Sequence, residues 1–305
     1  MEDNLLIVGG SGFIGRNLAE KSLKVGFNVT VVSLTKITDN KKIPGVIYIR
    51  VDITSLPLLK EKLFGVSFNY VVNLSGYIDH SSYLNGGHIA INAHFNGLQN
   101  LLQVLDWSVL KRFVQIGSSD EYGNVSAPQF EHMSESPISS YSLGKLACTK
   151  LLKMLYQTEK FPVVILRLFL VYGEGQDNKR FIPQIIQGCL LGKSFPVSKG
   201  DQLRDFCYID DITSGILQSL VKDKALGEVI NLASGDSISI RSVIEKIQNL
   251  IGNGNPEFGK IAYRKSENMA LYANIDKAKL ILEWQPKIDL NKGLANSIDF
   301  YRTND

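Results

Sequence analysis

The sequence predicts an α/β protein: a parallel, doubly wound sheet with a smaller α/β lobe toward the C-terminus. Three observations predict it. Short apolar runs of strand length alternate with helix-length amphipathic segments through residues 1–169. The first of these strands, residues 5–8, runs through a cluster of glycines straight into a helix. From residue 170 the alternation loosens into glycines, short strands and short helices. Strands alternating with helices imply a parallel sheet covered on both faces. Right-handed crossovers put every strand's C-terminal end on one side, the edge where such folds bind ligands.

Leu5, Leu6, Ile7 and Val8 are the apolar run of a buried strand. Gly9, Gly10, Gly12 and Gly15 follow, and Phe13 and Ile14 open an apolar helical face that continues through Leu18, Ala19 and Leu23. In this G-x-x-G-x-x-G turn the first glycine permits a tight bend at the strand end. The next lets the backbone approach a pyrophosphate, and the third lets helix and strand pack closely. Amides around Ser11 and the helix start then face the ligand, and the helix dipole favours its negative charge. The spacing differs from the commonest G-x-G-x-x-G fingerprint, but the strand before and the helix after supply the context such a motif requires. The expected organisation is a Rossmann-type dinucleotide-binding domain over 1–169, joined by about 225–235, and a substrate lobe over 170–305. Further strands are expected at 28–33, 46–51, 69–74, 111–117 and 161–168, and helices at 56–63, 87–106 and 140–158. In the second half, helices are expected at 181–191, 209–221, 239–251, 277–282 and 290–301, with a strand at 229–232 that rejoins the main sheet.

Composition narrows the class. Apolar content of 44% and charged content of 21% are ordinary for a soluble globular chain of 305 residues. A net charge of +3 without a long basic run does not imply nucleic acid. Cys148, Cys189 and Cys207 lack C-x-x-C spacing and suit a reducing cytosol better than disulfides or zinc. No apolar run approaches the roughly 20 residues of a membrane helix, and no signal core precedes the first strand. His80, His88, His94 and His132 have no metal-ligand spacing, so no metal is expected.

An acidic residue about 20 positions beyond the glycines holds the ribose 2′-hydroxyl in NAD-binding sheets. Here the end of the second strand carries Ser33, then Leu34, Thr35 and Lys36. A hydroxyl and a cation suit a 2′-phosphate, so NADP is favoured over NAD. Asp52 and Ile53, after the third strand, are placed to meet the adenine edge.

The strand at 111–117 ends in Ser118-Ser119-Asp120-Glu121-Tyr122-Gly123, and Tyr141 and Lys145 follow at the start of a helix. Residues i and i+4 share one helical face. Hydride transfer at a secondary alcohol needs a matched proton donor or acceptor. Near pH 7 only about one tyrosine in a thousand is ionised, so a working phenolate needs about 4 kcal/mol of preferential stabilisation. An exposed lysine supplies about 1 kcal/mol or less. The remainder must come from a dry site and a cationic nicotinamide nearby. Ser118 or Ser119 is positioned to hold the substrate oxygen, and Lys145 to bind the nicotinamide ribose as well.

With these residues in view, the chain resembles the extended short-chain dehydrogenase/reductases that act on nucleotide-diphosphate sugars. The resemblance spans nearly the whole length. It includes Asn73-Leu74-Ser75-Gly76, which it places at the cofactor together with Asn92, and the stretch from Asn92 through Gly97 to Asn100 in the long helix. It also includes Arg167 to Gly173, Arg180-Phe181-Ile182-Pro183, Gly200 to Phe206, Asp210-Asp211 and Trp284-Gln285-Pro286. It implies that Arg204, with Arg264 as a second candidate, grips the substrate diphosphate, as an arginine fork suits phosphate oxygens. Leu170 stands where the family commonly has an asparagine on the substrate's phosphate side. Counting back four from Tyr122, as in related epimerases, points to Ser118.

Asp120 and Glu121 look like the acid–base pair of a 4,6-dehydratase, but Tyr122 follows them one residue early. Adjacent strand side chains face opposite ways, so that slip misdirects at least one carboxylate. The string 116–123 more closely resembles GDP-4-keto-6-deoxymannose reductases. The stretches 177–183, 200–206 and 264–269 resemble CDP-abequose synthases. The expected function is hydride reduction of a nucleotide-linked 4-keto-6-deoxy sugar; a 4-epimerase and a dehydratase are the alternatives. A cofactor-binding regulator is the non-enzyme alternative, and such members typically lose the tyrosine or lysine kept here. Tyr77 and His80 are expected to line the sugar pocket. The helices at 87–106 and 140–158 form a homodimer interface in this family, so a homodimer is expected.

Overall fold

The computed structural model describes residues 3–263 and 267–303. In chain order the first half supplies β1 (Asn4–Val8), α1 (Phe13–Lys24), β2 (Asn28–Ser33), β3 (Ile47–Arg50), α2 (Leu56–Leu63) and β4 (Tyr70–Asn73). It continues through α3 (Gly87–Val104), β5 (Arg112–Ser118), α4 (Ser140–Glu159) and β6 (Val163–Leu168). The seventh strand of this sheet comes from the second half, at Val229–Leu232, and lies beside β6. Every pairing in the sheet is parallel. β1 pairs with β2 on one side and β4 on the other. The chain therefore reverses its direction of travel across the sheet at β1, and the crevice beyond that switch point is where such folds take ligands.

Alternation along β1 shows why the sheet is buried twice over. Leu5 and Ile7 join an apolar cluster with Leu18 and Ala19 of α1, whereas Leu6 and Val8 join one with Leu59, Leu98, Leu101 and Leu152. Successive side chains face opposite layers, and each layer is a set of helices. Each fully buried leucine contributes about 1.5–3 kcal/mol.

The second half continues with β7 (Leu170–Tyr172), α5 (Phe181–Leu190), β8 (Ser194–Val197), β9 (Leu203–Arg204), β10 (Phe206–Tyr208) and α6 (Ile209–Val221). Then come β11 (the sheet strand Val229–Leu232), β12 (Ile238–Ser239), α7 (Ile240–Ile251), β13 (Asn255–Phe258), β14 (Ala270–Leu271), α8 (Asp276–Leu282) and α9 (Leu290–Thr303). α6 and α8 pack on the main sheet, through Ile212, Ile216, Ala278 and Leu282. α5, α7 and α9 build a separate core from Ile185, Ile186, Val243, Ile244, Ile247, Leu294 and Ile298, against which Phe13 and Ile14 of the glycine turn pack. The two cores thus meet at the ligand edge. β9 pairs with β12 and β14 in a small three-stranded sheet. Its strands are only two residues long, too short for a periodic signal in the sequence.

Candidate active site

The glycine turn is built by close approach. Gly9 has φ +78°, and a Cβ there would lie 3.0 Å from the Leu74 carbonyl carbon and oxygen. A Cβ at Gly15 would lie 2.5 Å from Gly10 Cα, so only hydrogen lets α1 sit this close to the turn. Gly12 is the N-cap of α1 and supplies no side-chain cap. The first amides of the helix therefore have no intrahelical partner and face outward beside exposed Ser11. A pyrophosphate fits this cradle by backbone approach, by donor supply and by the sign of the helix dipole.

Ser33 and Asp52 lie close together at the ends of β2 and β3, where Val51 N–H donates to Ser33 O at 3.0 Å. Ser33 is buried and donates its hydroxyl to Thr35 O at 2.9 Å, while Lys36 is exposed on the following loop. Asp52 accepts from Thr54 N–H at 2.9 Å and Thr54 Oγ1 at 2.8 Å. Ile53 turns its side chain into the core against Gly97, and its carbonyl accepts from Asn100 at 2.9 Å.

After β4, Ser75 is tied to Asn73 Oδ1 through its amide at 3.1 Å and its hydroxyl at 2.5 Å. Leu74 and Gly76 flank it in the turn that borders Gly9. Asn92, expected at the cofactor, lies on α3. It is exposed and accepts from Asn96 Nδ2 at 3.3 Å. The α3 residue that faces the turn is His94, about 200° further round the helix. Spacing alone gave no sign of His94.

Tyr141 sits in the first turn of α4, whose N-cap Ser139 bonds Ser142 reciprocally. Its ring is 5% exposed and lies between two imidazoles, His80 at 5.6 Å and His94 at 5.3 Å, both edge-on. Burial raises the Tyr141 pKa above the ordinary phenol range; the Ser118 hydroxyl works the other way, Asp120 and Glu121 add to the rise, and Arg180 opposes it. Of the two serines, Ser118 is thus the one against the phenol. Ser119 is buried in the 3-10 turn that follows. Lys145 is buried one helical turn along and donates to Ile116 O at 2.9 Å. Burial lowers its pKa, with Glu121 and Cys148 opposing.

The Asp120/Glu121 expectation separates into two outcomes. Asp120 stays partly exposed, with Oδ2 4.0 Å from His80 Nε2, on the open side of Tyr141. Glu121 is fully buried and turned away from any ligand, so its expected substrate contact is corrected. It accepts from Ser118 N–H at 2.9 Å, Thr149 Oγ1 at 2.8 Å and Arg167 Nε at 3.1 Å. Arg167, itself fully buried, reaches on to Glu135 at 2.8 Å and lies 4.5 Å over the Tyr122 ring. Glu135 also pairs with Lys150 of α4 at 2.8 Å. This charged network ties the Ser118 end of β5 to α4 and β6. It was not legible in the sequence, because its ion pairs join residues 15 to 46 positions apart.

The remaining expected substrate residues divide between the two lobes. Tyr77 is 44% and Leu170 39% exposed. Arg180 is exposed at the N-cap of α5, and Phe181 packs on Phe206 with centroids 5.9 Å apart. Arg204 stands further off in the second lobe, bonded to Leu203 O at 2.9 Å and Glu267 Oε1 at 2.5 Å. Arg264 lies outside the described residues. Among the described residues no cluster of His, Cys, Asp and Glu has metal-binding geometry, and no helix is long and apolar enough to cross a membrane.

A glycine-turn Rossmann-type sheet with serine, tyrosine and lysine gathered at its ligand edge defines a nucleotide-dependent oxidoreductase of the short-chain dehydrogenase/reductase type. The NAD dependent epimerase/dehydratase family model matches residues 5–233, and the chain belongs to that family. Similar curated proteins include a UDP-glucuronate 4-epimerase of Thermodesulfobacterium geofontis, 28% identical over 98% of this chain and 96% of that one. A dTDP-glucose 4,6-dehydratase of Haemophilus influenzae is 25% identical over 99% of this chain and 98% of its own length. Among solved structures, the UDP-glucuronic acid 4-epimerase of Bacillus cereus, in complex with UDP-glucuronic acid and NAD, matches with a TM-score of 0.86. It is 26% identical and covers 99% of this chain and 100% of that chain.

Proposed function

We propose that this protein performs hydride chemistry at C4 of a nucleotide-diphosphate sugar, as a 4-epimerase. The observation that carries the reading is the gathering of Ser118, Tyr141 and Lys145 at the sheet edge that also carries the Gly9–Gly15 turn. The relatives named above, two of them UDP-glucuronate 4-epimerases, favour epimerisation over net reduction. The glycine turn, Ser33, Asp52 and Ser75–Gly76 would hold a nicotinamide dinucleotide, which would accept and return the hydride. Tyr141 Oη takes the proton of the C4 hydroxyl and later returns it. Ser118 Oγ bonds the same substrate oxygen and holds it against the phenol. Lys145 Nζ supplies the positive charge that a buried phenolate needs, because burial and two nearby carboxylates oppose its formation. His80, Asp120 and Arg180 line the sugar side, and Arg204 meets the diphosphate. The elimination reading that used Asp120 and Glu121 together loses its second carboxylate, since Glu121 is spent on Arg167.

Net reduction of a 4-keto sugar is the second reading, favoured by the 116–123 string. The two differ in stoichiometry. UDP-glucuronate, UDP-glucose and dTDP-glucose, each given catalytic NAD, are followed by nuclear magnetic resonance. Many product molecules per cofactor support the epimerase. A nucleotide-linked 4-keto-6-deoxy sugar is offered in parallel with NADPH or NADH; one dinucleotide consumed per molecule of it reduced, with no epimer formed from the three sugars, refutes the epimerase in favour of the reductase. The same reading expects a homodimer through α3 and α4, where Ile89, Leu143 and Met154 are exposed. Sedimentation at monomer mass rejects that.

A further inference from the structure

His94 is the buried residue of this site to which the chemistry above gives no part. It is 3% exposed, on α3, and two further elements close on its ring. From α4, Tyr141 meets it edge-on with centroids 5.3 Å apart, and a Cβ at Gly144 would lie 3.5 Å from His94 Cβ. From the turn after β4, Gly76 at φ +93° leaves the ring its space: a Cβ there would lie 1.9 Å from His94 Cε1. The ring's Nε2 lies 3.2 Å from Tyr77 O. A carbonyl only accepts, so Nε2 donates to Tyr77 O in the tautomer that carries its hydrogen there, and the Ser75 backbone also bonds the ring. Burial, with the Lys145 ammonium adding to it, pushes the His94 pKa down to about 3. The ring is therefore neutral at working pH, and no second cation stands beside Lys145.

We propose that His94 is a positioning residue that ties the Ser75–Tyr77 turn to Tyr141, so that dinucleotide affinity and the placement of the phenol depend on one imidazole. The inference rests on the proposed dinucleotide site. The turn borders that site because the Leu74 carbonyl packs directly on Gly9. One side of the ring anchors the turn by a hydrogen bond, and an edge of it steadies the phenol. Loss of the donor releases the turn even where the ring's volume is kept.

Two variants separate these parts. His94→Phe keeps a ring and removes the donor; His94→Gln keeps a donor at the Nε2 position and removes the ring. Binding of NAD and of NADP is measured by titration calorimetry, alongside thermal unfolding and kcat. His94→Phe is expected to weaken dinucleotide binding about tenfold, the scale of one lost hydrogen bond at a buried group. His94→Gln is expected to restore binding to within about threefold while kcat falls about tenfold, because the phenol has lost its edge contact. Wild-type affinity in His94→Phe overturns the proposal. So does an equal loss of binding in both variants that tracks a fall in melting temperature, since that is a packing role only. A wild-type protein that binds neither dinucleotide overturns the proposed function instead.

Discussion

Replacing Glu121 with alanine removes the acceptor of three buried donors at once. Ser118 N–H, Thr149 Oγ1 and Arg167 Nε all end on this carboxylate, at 2.9, 2.8 and 3.1 Å. Arg167 is the expensive partner. It is fully buried, Nη1 already has no hydrogen-bond acceptor, and Glu135 would be its remaining counter-charge. Removing one member of a buried ion pair costs about 3–5 kcal/mol, because the charge left behind stays desolvated. Whole-protein stability is only about 5–15 kcal/mol. At about 2 °C of melting temperature per kcal/mol for a chain of this size, Glu121→Ala should melt about 6–10 °C lower. Glu121→Gln keeps the shape and one acceptor oxygen, and should lose about 1–2 kcal/mol, or about 2–4 °C. Calorimetric unfolding at pH 7 reads both, and turnover is measured on the same samples. Were Glu121 instead a proton donor or acceptor for substrate, Glu121→Gln would cut turnover by about 10²–10⁴ with little change in stability. That result, or an alanine variant melting within about 2 °C of wild type, refutes the structural role given to Glu121 in the buried network.

Other consequences can be checked alongside. Tyr141→Phe should lower kcat by about 10²–10⁴ while dinucleotide affinity stays within about threefold; retained turnover would remove Tyr141 from the chemistry. Burial alone would raise the Glu135 pKa, but Lys150 and Arg167 outweigh it and hold the carboxyl at about 2, against an ordinary 4.5. A folded-state pKa below the unfolded one means that the contribution is complete above about pH 4.5 and is lost as pH falls toward about 2. Urea midpoints should therefore drop across that window, and Glu135→Gln should flatten the drop. Lys36→Glu should weaken NADP binding about tenfold and leave NAD nearly unchanged if the exposed lysine meets a 2′-phosphate; equal effects on both dinucleotides would reject that role.

The Rossmann-type sheet was legible because its signals are local. β1 is four consecutive buried aliphatics flanked by a glycine turn, and each helix start or strand end follows from residues within a few positions of it. Tyr141 and Lys145 were legible for the same reason, being one helical turn apart. Ser118 was narrowed by counting from Tyr122, and its place against the phenol emerged only from the packing of α4 on β5. The Asp120/Glu121 pair reads as two equivalent carboxylates along the chain. In the folded protein one stays beside His80 at the opening, and the other is drawn inward by an arginine 46 residues away. On α3, Asn92 carried the expectation, and the structure adds His94, which packs against the Gly76–Tyr77 turn.

Periodicity and turn chemistry thus determined from the sequence alone that strands and helices alternate here, where the glycine turn closes the first strand, and which tyrosine and lysine share a helical face. Tertiary structure decided which polar groups are desolvated together. Glu121, Arg167 and Glu135 have no regular spacing, and their pairing exists only because burial makes an isolated charge intolerable. His94 owes its place to the same cause, since its neutral ring is held where α3, α4 and the turn after β4 converge and water is excluded.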